Sequence, residues 1–421
     1  MADPATAPDH SQDENDLSRA RPVPRISIEA FADDERFLEV LREAGNDRRL
    51  VRCNLAGALG GIAAAYANYV ENPTPELIVL DTALPREQLL AQLDALAEHC
   101  DAGTKVIVCG RDNDVVLYKE LLRRGVSEYI VFPVTPFQIL ESISNLYNQP
   151  DASPIGHVVA FIGAKGGVGS STISHNAAWC LAEELRTNVV VADFDLAFGT
   201  TGLDFNQDPI QGIGEAIAAP DRLDEVLLDR LLTKCTPNLS IFAAPAVLDR
   251  EYDLDPEACH HILGVLSRTV PFVVLDLPHL WTAWSKRLLL QADEIVITAE
   301  PDLANLRNAK NILDLLKSAR KMDNPPKLVL NKLGVAKRPE IPIKDFCASL
   351  DLKPTLVIDF DPESFGQASN NGQMIEEASK KAKSAAQFRE LSRLIAHRKR
   401  PEPAAKPSPV AQLLEKLKLK L

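Results

Sequence analysis

Short runs of nearly continuous apolar residues alternate with stretches whose apolar positions return every three or four residues, and this alternation occurs in two successive sets. In the first set the runs are ISIEAF (26–31), LVRC (50–53), LIVL (77–80), VIVC (106–109) and YIVF (129–132), separated by segments such as ERFLEVLREAG and REQLLAQLDALAEHC. Apolar runs of this length suit strands buried on both faces, and strands alternating with amphipathic helices predict a parallel doubly wound sheet. The second set comprises VVAFI (158–162), VVVA (189–192), FVVL (272–275), IVIT (295–298), LVL (328–330) and LVI (356–358). The expected fold class is therefore α/β, with two doubly wound parallel-sheet domains.

Breaks in the pattern set the domain boundaries. Residues 1–24 are rich in Asp, Ala, Pro and Ser and carry no apolar periodicity, so they read as a flexible leader. The first domain then covers 25–148, a Pro-bearing linker 149–156, and the second domain 157–398. A Pro-rich spacer, 399–409, leads to a final amphipathic segment, 410–421, with Val410, Leu413, Leu414, Leu417 and Leu421 on one helical face and Lys416 and Lys420 off it. From His397 onward there are seven basic and two acidic residues, a net of +5, which suits contact with an anionic membrane surface or a partner; a solvated tail is the plainer alternative.

Composition narrows the function classes. At 421 residues, 46% hydrophobic and 25% charged, the chain can bury more than one core. The net charge of -13 repels phosphate backbones and makes a general nucleic-acid binder a poor reading. Seven scattered cysteines without a C-x-x-C pair suggest neither a disulfide framework nor a zinc cluster, and fit a reducing cytoplasm. The polar, acidic start and the lack of a long apolar stretch argue against a signal peptide and a membrane span.

The most informative segment is HVVAFIGAKGGVGSSTISHNAAWCLAEEL (157–185), an apolar strand running into a Gly-rich turn and then a helix with Ile173, Ala177, Leu181 and Leu185 on one face. Gly166, Gly167 and Gly169, with Val168 between them, let the backbone curl around a phosphate and aim N–H groups at it, and the following helix adds its positive end. Ser170, Ser171 and Thr172 complete the loop; a hydroxyl of Ser171 or Thr172 can serve Mg²⁺ or a phosphate oxygen. A turn that is Gly-rich only for tightness is the bland alternative, weakened by the strand-loop-helix context.

KGGVGSST resembles the deviant Walker A motif, KGGxGK[ST]T, of the MinD/ParA family of dimeric ATPases, with Lys165 at that family's signature lysine. Two departures stand out: Ser170 occupies the usual P-loop lysine position, and Ala164 the opening glycine. The resemblance implies ATP and Mg²⁺ as cofactors, with Lys165 and Asp195 in catalytic roles. VVVADFDLAFG (189–199) looks like the family's DxD strand end, with Asp193 near Mg²⁺ and Asp195 positioning the attacking water. FVVLDLPHLW (272–281) looks like a Walker B strand, with Asp276 reaching Mg²⁺ from behind its nearest neighbours. LVLNKLG (328–334) looks like the adenine-side strand end, with Asn331 as base contact. His279 stands where the switch II glycine is expected, in a loop that also carries Trp281 and Trp284.

The first domain resembles a receiver domain of flavodoxin-like fold. Asp81 ends the third strand (ELIVLDTALP) at the phosphoacceptor position, but Phe132 replaces the lysine before Pro133, and Asp33 and Asp34 read as displaced downstream of the first strand. The expectation is a degenerate receiver that docks partners. A receiver-like domain ahead of a MinD/ParA-like domain with a lysine-deficient loop is similar to the CpaE/TadZ family of pilus-assembly proteins; DLPHLWTAW and FGQASNNGQMI (365–375) look like that family's too. That resemblance implies a cytoplasmic protein at a cell pole near the inner membrane. It implies an ATP-dependent homodimer working with Flp/Tad pilus secretion machinery or polar landmark proteins, with slow ATP turnover. A non-hydrolysing scaffold stays open because of Ser170; a DNA-partitioning ATPase is disfavoured by charge.

Overall fold

The computed structural model describes residues 23–147, 156–248 and 254–397, short of positions 25, 52, 102 and 246. The expected leader lies almost wholly outside the described residues, as do the linker at 149–156, the Pro-rich spacer and the amphipathic tail. The described residues form two compact units, one of those from 23 to 157 together with 286–293 and 311–326, the other of those within 158–285, 294–310 and 327–397.

The first unit holds a five-stranded sheet of β1 (Ser27–Ala32), β2 (Asn54–Leu59), β3 (Leu77–Asp81), β4 (Lys105–Gly110) and β5 (Glu128–Val131). Its order, β2-β1-β3-β4-β5, and its all-parallel pairing are those of a flavodoxin-like sheet. Side chains of β3 are buried on both faces, as its unbroken apolar run requires. One strand corrects the sequence reading: Leu50 enters the core from a turn, and the strand is the next segment, NLAGAL (54–59), mostly exposed at the sheet edge. Apolar runs mark buried strands, so an edge strand of small residues escapes that signal. Also within this unit, the buried Arg48 pairs with Asp293 at 2.6 Å and Asp323 at 3.0 Å.

The second unit is built on an eight-stranded sheet: β6 (His157–Gly163), β7 (Val189–Asp193), β8 (Thr233–Lys234), β9 (Leu239–Phe242), β10 (Phe272–Leu277), β11 (Glu294–Ala299), β12 (Lys327–Leu333) and β13 (Pro354–Asp359). The order is β13-β12-β11-β6-β10-β7-β9-β8, parallel except for the antiparallel pair β8 and β9. Strand order reverses at β6, so the carboxyl ends of β6, β7, β10 and β11 share the crevice where open α/β sheets bind ligands. The expected helix after β6 runs Ser170–Trp179 and then widens into a π turn, Cys180–Glu184, with Ile173, Ala177 and Leu181 buried in one core and Leu185 packed against it. No described helix is long and apolar enough to cross a membrane.

Candidate functional site

The loop after β6 is built as the glycines require. Gly167 and Gly169 take φ of +79° and +89°, a region that side chains resist, and a Cβ on Gly169 would fall 2.6 Å from the Asn331 amide nitrogen. The loop's start is pinned by Ala164, whose N–H donates to the Thr298 carbonyl and whose carbonyl accepts from Asn308, both at 2.8 Å. Ser170 opens the helix, and its buried Oγ has no hydrogen-bond partner among the described residues. Lys165, more than half exposed, points its ammonium at Asp302 Oδ2, 3.7 Å away. Asn331 Nδ2 donates to the Val168 carbonyl at 2.8 Å.

Two acidic strand ends lie side by side, because Asp193 on β7 and Asp276 on β10 are register partners. Burial and then the neighbouring Asp276 push the Asp193 carboxyl up to about 7. Asp276 Oδ1 is buried and unpartnered among the described residues. Two adjoining carboxylates, one with an orphaned oxygen, are a donor set that fits a hard cation such as Mg²⁺. Asp195 lies two residues past the end of β7; its backbone N–H donates to Asp193 at 3.0 Å and its carboxylate accepts from the Phe198 N–H at 3.1 Å. Burial raises its pKa.

Sequence reading missed His175. It is fully buried one turn into the helix, with Nδ1 2.8 Å from Asp204 and Nε2 3.3 Å from Asp276 and 3.1 Å from Thr201 Oγ1. Thr201 in turn donates to Asp193 at 2.6 Å. Burial alone would lower the imidazole pKa, but the hydrogen bonds to Asp204 and Asp276 outweigh it and raise it to about 10. An imidazolium therefore stands behind the paired carboxylates and sets their orientation through Asp276 and Thr201. A histidine on the inner face of a helix, beside alanines, was the available signal.

The loop after β10 carries His279, Trp281 and Trp284. His279 Nδ1 lies 3.0 Å from the Gly163 carbonyl, tying the loop to the end of β6. Trp284 is buried and stacked on Phe194, whereas Trp281 is 55% exposed.

In the first unit the expected absence of a cation beside Asp81 is corrected. Arg111, just past β4, reaches Asp81 Oδ1 at 2.6 Å, and its guanidinium stacks 4.0 Å over the Phe132 ring. Phe132 thus removes the lysine but holds a substitute cation in place. Asp33 and Asp34 are not displaced either: β1 runs one residue further than read, to Ala32, which puts both at the strand's carboxyl end. The Asp34 N–H donates to Asp81 Oδ2 at 3.2 Å, and Asp33 accepts from the Ala83 N–H at 3.0 Å. With both Asp81 oxygens engaged, acetyl phosphate should leave the full-length protein unmodified. Mass spectrometry or beryllofluoride-induced chemical shifts centred on Asp81 check this, and a clear response would mark a working phosphoacceptor.

An open parallel sheet with a glycine loop at its switch point and carboxylates on the adjoining strand ends defines a P-loop nucleotide-binding fold of the MinD/ParA kind. A ParA family ATPase from Chlorobium tepidum shares that fold at a TM-score of 0.52, with 24% identity over 56% of this chain and 98% of its own. The septum site-determining protein MinD of Helicobacter pylori is 28% identical over 187 residues, 42% of this chain and 66% of that protein. A pilus assembly protein CpaE from Caulobacter crescentus is 42% identical over 97% of its solved chain and 30% of this one, with a TM-score of 0.30. The chain belongs, by that identity, to the CpaE-like family within the MinD/ParA ATPases. No family model matches it.

Proposed function

We propose that this protein binds ATP·Mg²⁺ at Lys165–Thr172, dimerises in response, turns ATP over slowly, and serves at a cell pole in the cytoplasm as a localisation factor for Flp/Tad-type pilus machinery. The observation that carries the reading is a glycine loop at the sheet's switch point, with Asp193 and Asp276 at the ends of strands in the same sheet, in a CpaE-like chain that has Ser170 where the loop lysine belongs. Backbone N–H groups bind phosphate whatever residue stands at 170, so affinity survives the substitution. The charge that would build on the β- and γ-phosphates during hydrolysis loses its compensating ammonium, so turnover falls. Mg²⁺, when bound, neutralises phosphate charge; Ser171, Asp193 and Asp276 would hold it. In this reading Asp195 orients the attacking water and Asn331 contacts the base.

The test is calorimetry of the full chain with ATP and Mg²⁺, followed by gel filtration with and without nucleotide. Absence of binding at millimolar ATP would sink the nucleotide reading. In the dimer reading Lys165 leaves Asp302 to meet phosphate across the interface, so Lys165→Ala should lower the ATP-dependent dimer fraction severalfold; an unchanged fraction removes the trans role. Ser170 also favours a second reading, a non-hydrolysing scaffold, which predicts binding and dimerisation with no phosphate release.

A further inference from the structure

The end of β12 crosses the phosphate loop at two points. Asn331 Nδ2 donates to the Val168 carbonyl at 2.8 Å, and Lys332 Nζ donates to the Gly167 carbonyl at 2.5 Å. Lys332 takes a φ of +54°, which a residue with a Cβ adopts only where its surroundings hold it there. They do so here through a ring of charges. The Lys332 ammonium pairs with Glu300 at 3.0 Å, the other oxygen of that carboxylate pairs with Arg338 at 2.5 Å, and Arg338 also donates to the Lys332 carbonyl. Arg338 is held in turn by Glu340 at 2.9 Å.

A trans peptide carries its carbonyl and the next residue's N–H on opposite sides. Binding the Gly167 and Val168 carbonyls to β12 therefore turns the N–H groups of Val168 and Gly169 away from β12. These are two of the amides that a phosphate-binding loop must present together. In the usual arrangement a lysine after the last glycine helps to draw phosphate and loop together, but Ser170 has no such reach and Lys165 faces Asp302.

We propose that Lys332 and Asn331 are positioning residues forming a two-point clamp that presets the phosphate-loop amides, and that the clamp takes over ordering which the missing lysine would otherwise bring. The proposal rests on the nucleotide reading of the loop for its purpose, while the clamp itself belongs to the ligand-free chain. Two measurements keep them apart. The first is hydrogen exchange of the segment 163–172 in the ligand-free full-length protein. Lys332→Met keeps length and removes charge, and should speed exchange there about threefold or more. The second is affinity for ADP, ATP and adenosine with Mg²⁺. Lys332→Met should weaken ADP and ATP about tenfold and leave adenosine unchanged, since only phosphate meets the preset amides. Lys332→Arg should restore both readouts, and Asn331→Ala should likewise speed exchange of segment 163–172 in the ligand-free protein. Unchanged exchange in Lys332→Met overturns the clamp, as does equal weakening of adenosine and ADP, which would indicate a general distortion. A wild-type chain that binds no nucleotide overturns the nucleotide reading, and exchange alone then decides the clamp.

Discussion

His175→Ala should be among the most destabilising single substitutions in the second unit, costing about 3–5 kcal/mol, because it removes the cation from a buried group of acids and leaves the acids behind. Asp276 loses its partner, Thr201 loses the donor that fixes its hydroxyl toward Asp193, and Asp204 is left facing a cavity. Thermal unfolding should fall by roughly 10 °C for a domain of this size. The native protein should also carry a pH signature that the variant lacks. With the folded pKa raised to about 10, above the ordinary imidazole value, the contribution of His175 is fully present below about pH 6.5 and is lost as pH rises through 10. Denaturant titrations of both proteins at pH 6.5, 8 and 9.5 would measure it. Equal stability at pH 6.5, or an unchanged slope between 6.5 and 9.5, would show that the imidazole is neutral and dispensable.

Ser170→Lys should raise ATP turnover by about one to two orders of magnitude, with tighter nucleotide binding. The substitution suits the site: residue 170 begins the helix directly after Gly169, and its Oγ has no described partner whose loss would cost stability. A lysine at this position can extend along the loop toward the β- and γ-phosphates, where Lys165, drawn to Asp302, does not point. Phosphate release measured at saturating ATP, for Ser170→Lys against wild type and Ser170→Ala, checks it. If turnover does not change, then a missing lysine is not what limits hydrolysis, and the scaffold reading gains.

Sequence pattern carried the architecture wherever burial was two-sided. LIVL, VIVC, VVVA and FVVL sit in strands whose environments are apolar on both faces, so each residue reports its position independently. NLAGAL, Thr233–Lys234 and LSIF were missed because edge and short strands are held by backbone ladders more than by their own side chains. The glycine loop and the acidic strand ends were legible because each is made of consecutive residues, a strand running straight into its turn. What escaped were groups that reach the sites through the fold. Arg111 meets Asp81 from another strand, Lys332 meets Gly167 across 165 positions, and Arg48 meets Asp293 across 245. No local periodicity encodes such meetings. Phe132 shows how a residue can mislead: read as the loss of a lysine, it is the shelf on which a different cation rests.

The eight-stranded sheet ends at one margin in β8, two residues long and antiparallel to its neighbour. A strand that short offers an incoming chain only a rung or two of backbone donors and acceptors. Lys234 adds an exposed charge at the same margin. At high local concentration, when many copies gather in a small volume, this margin resists fibre growth by strand addition, so crowding of copies does not of itself become amyloid-like polymerisation there.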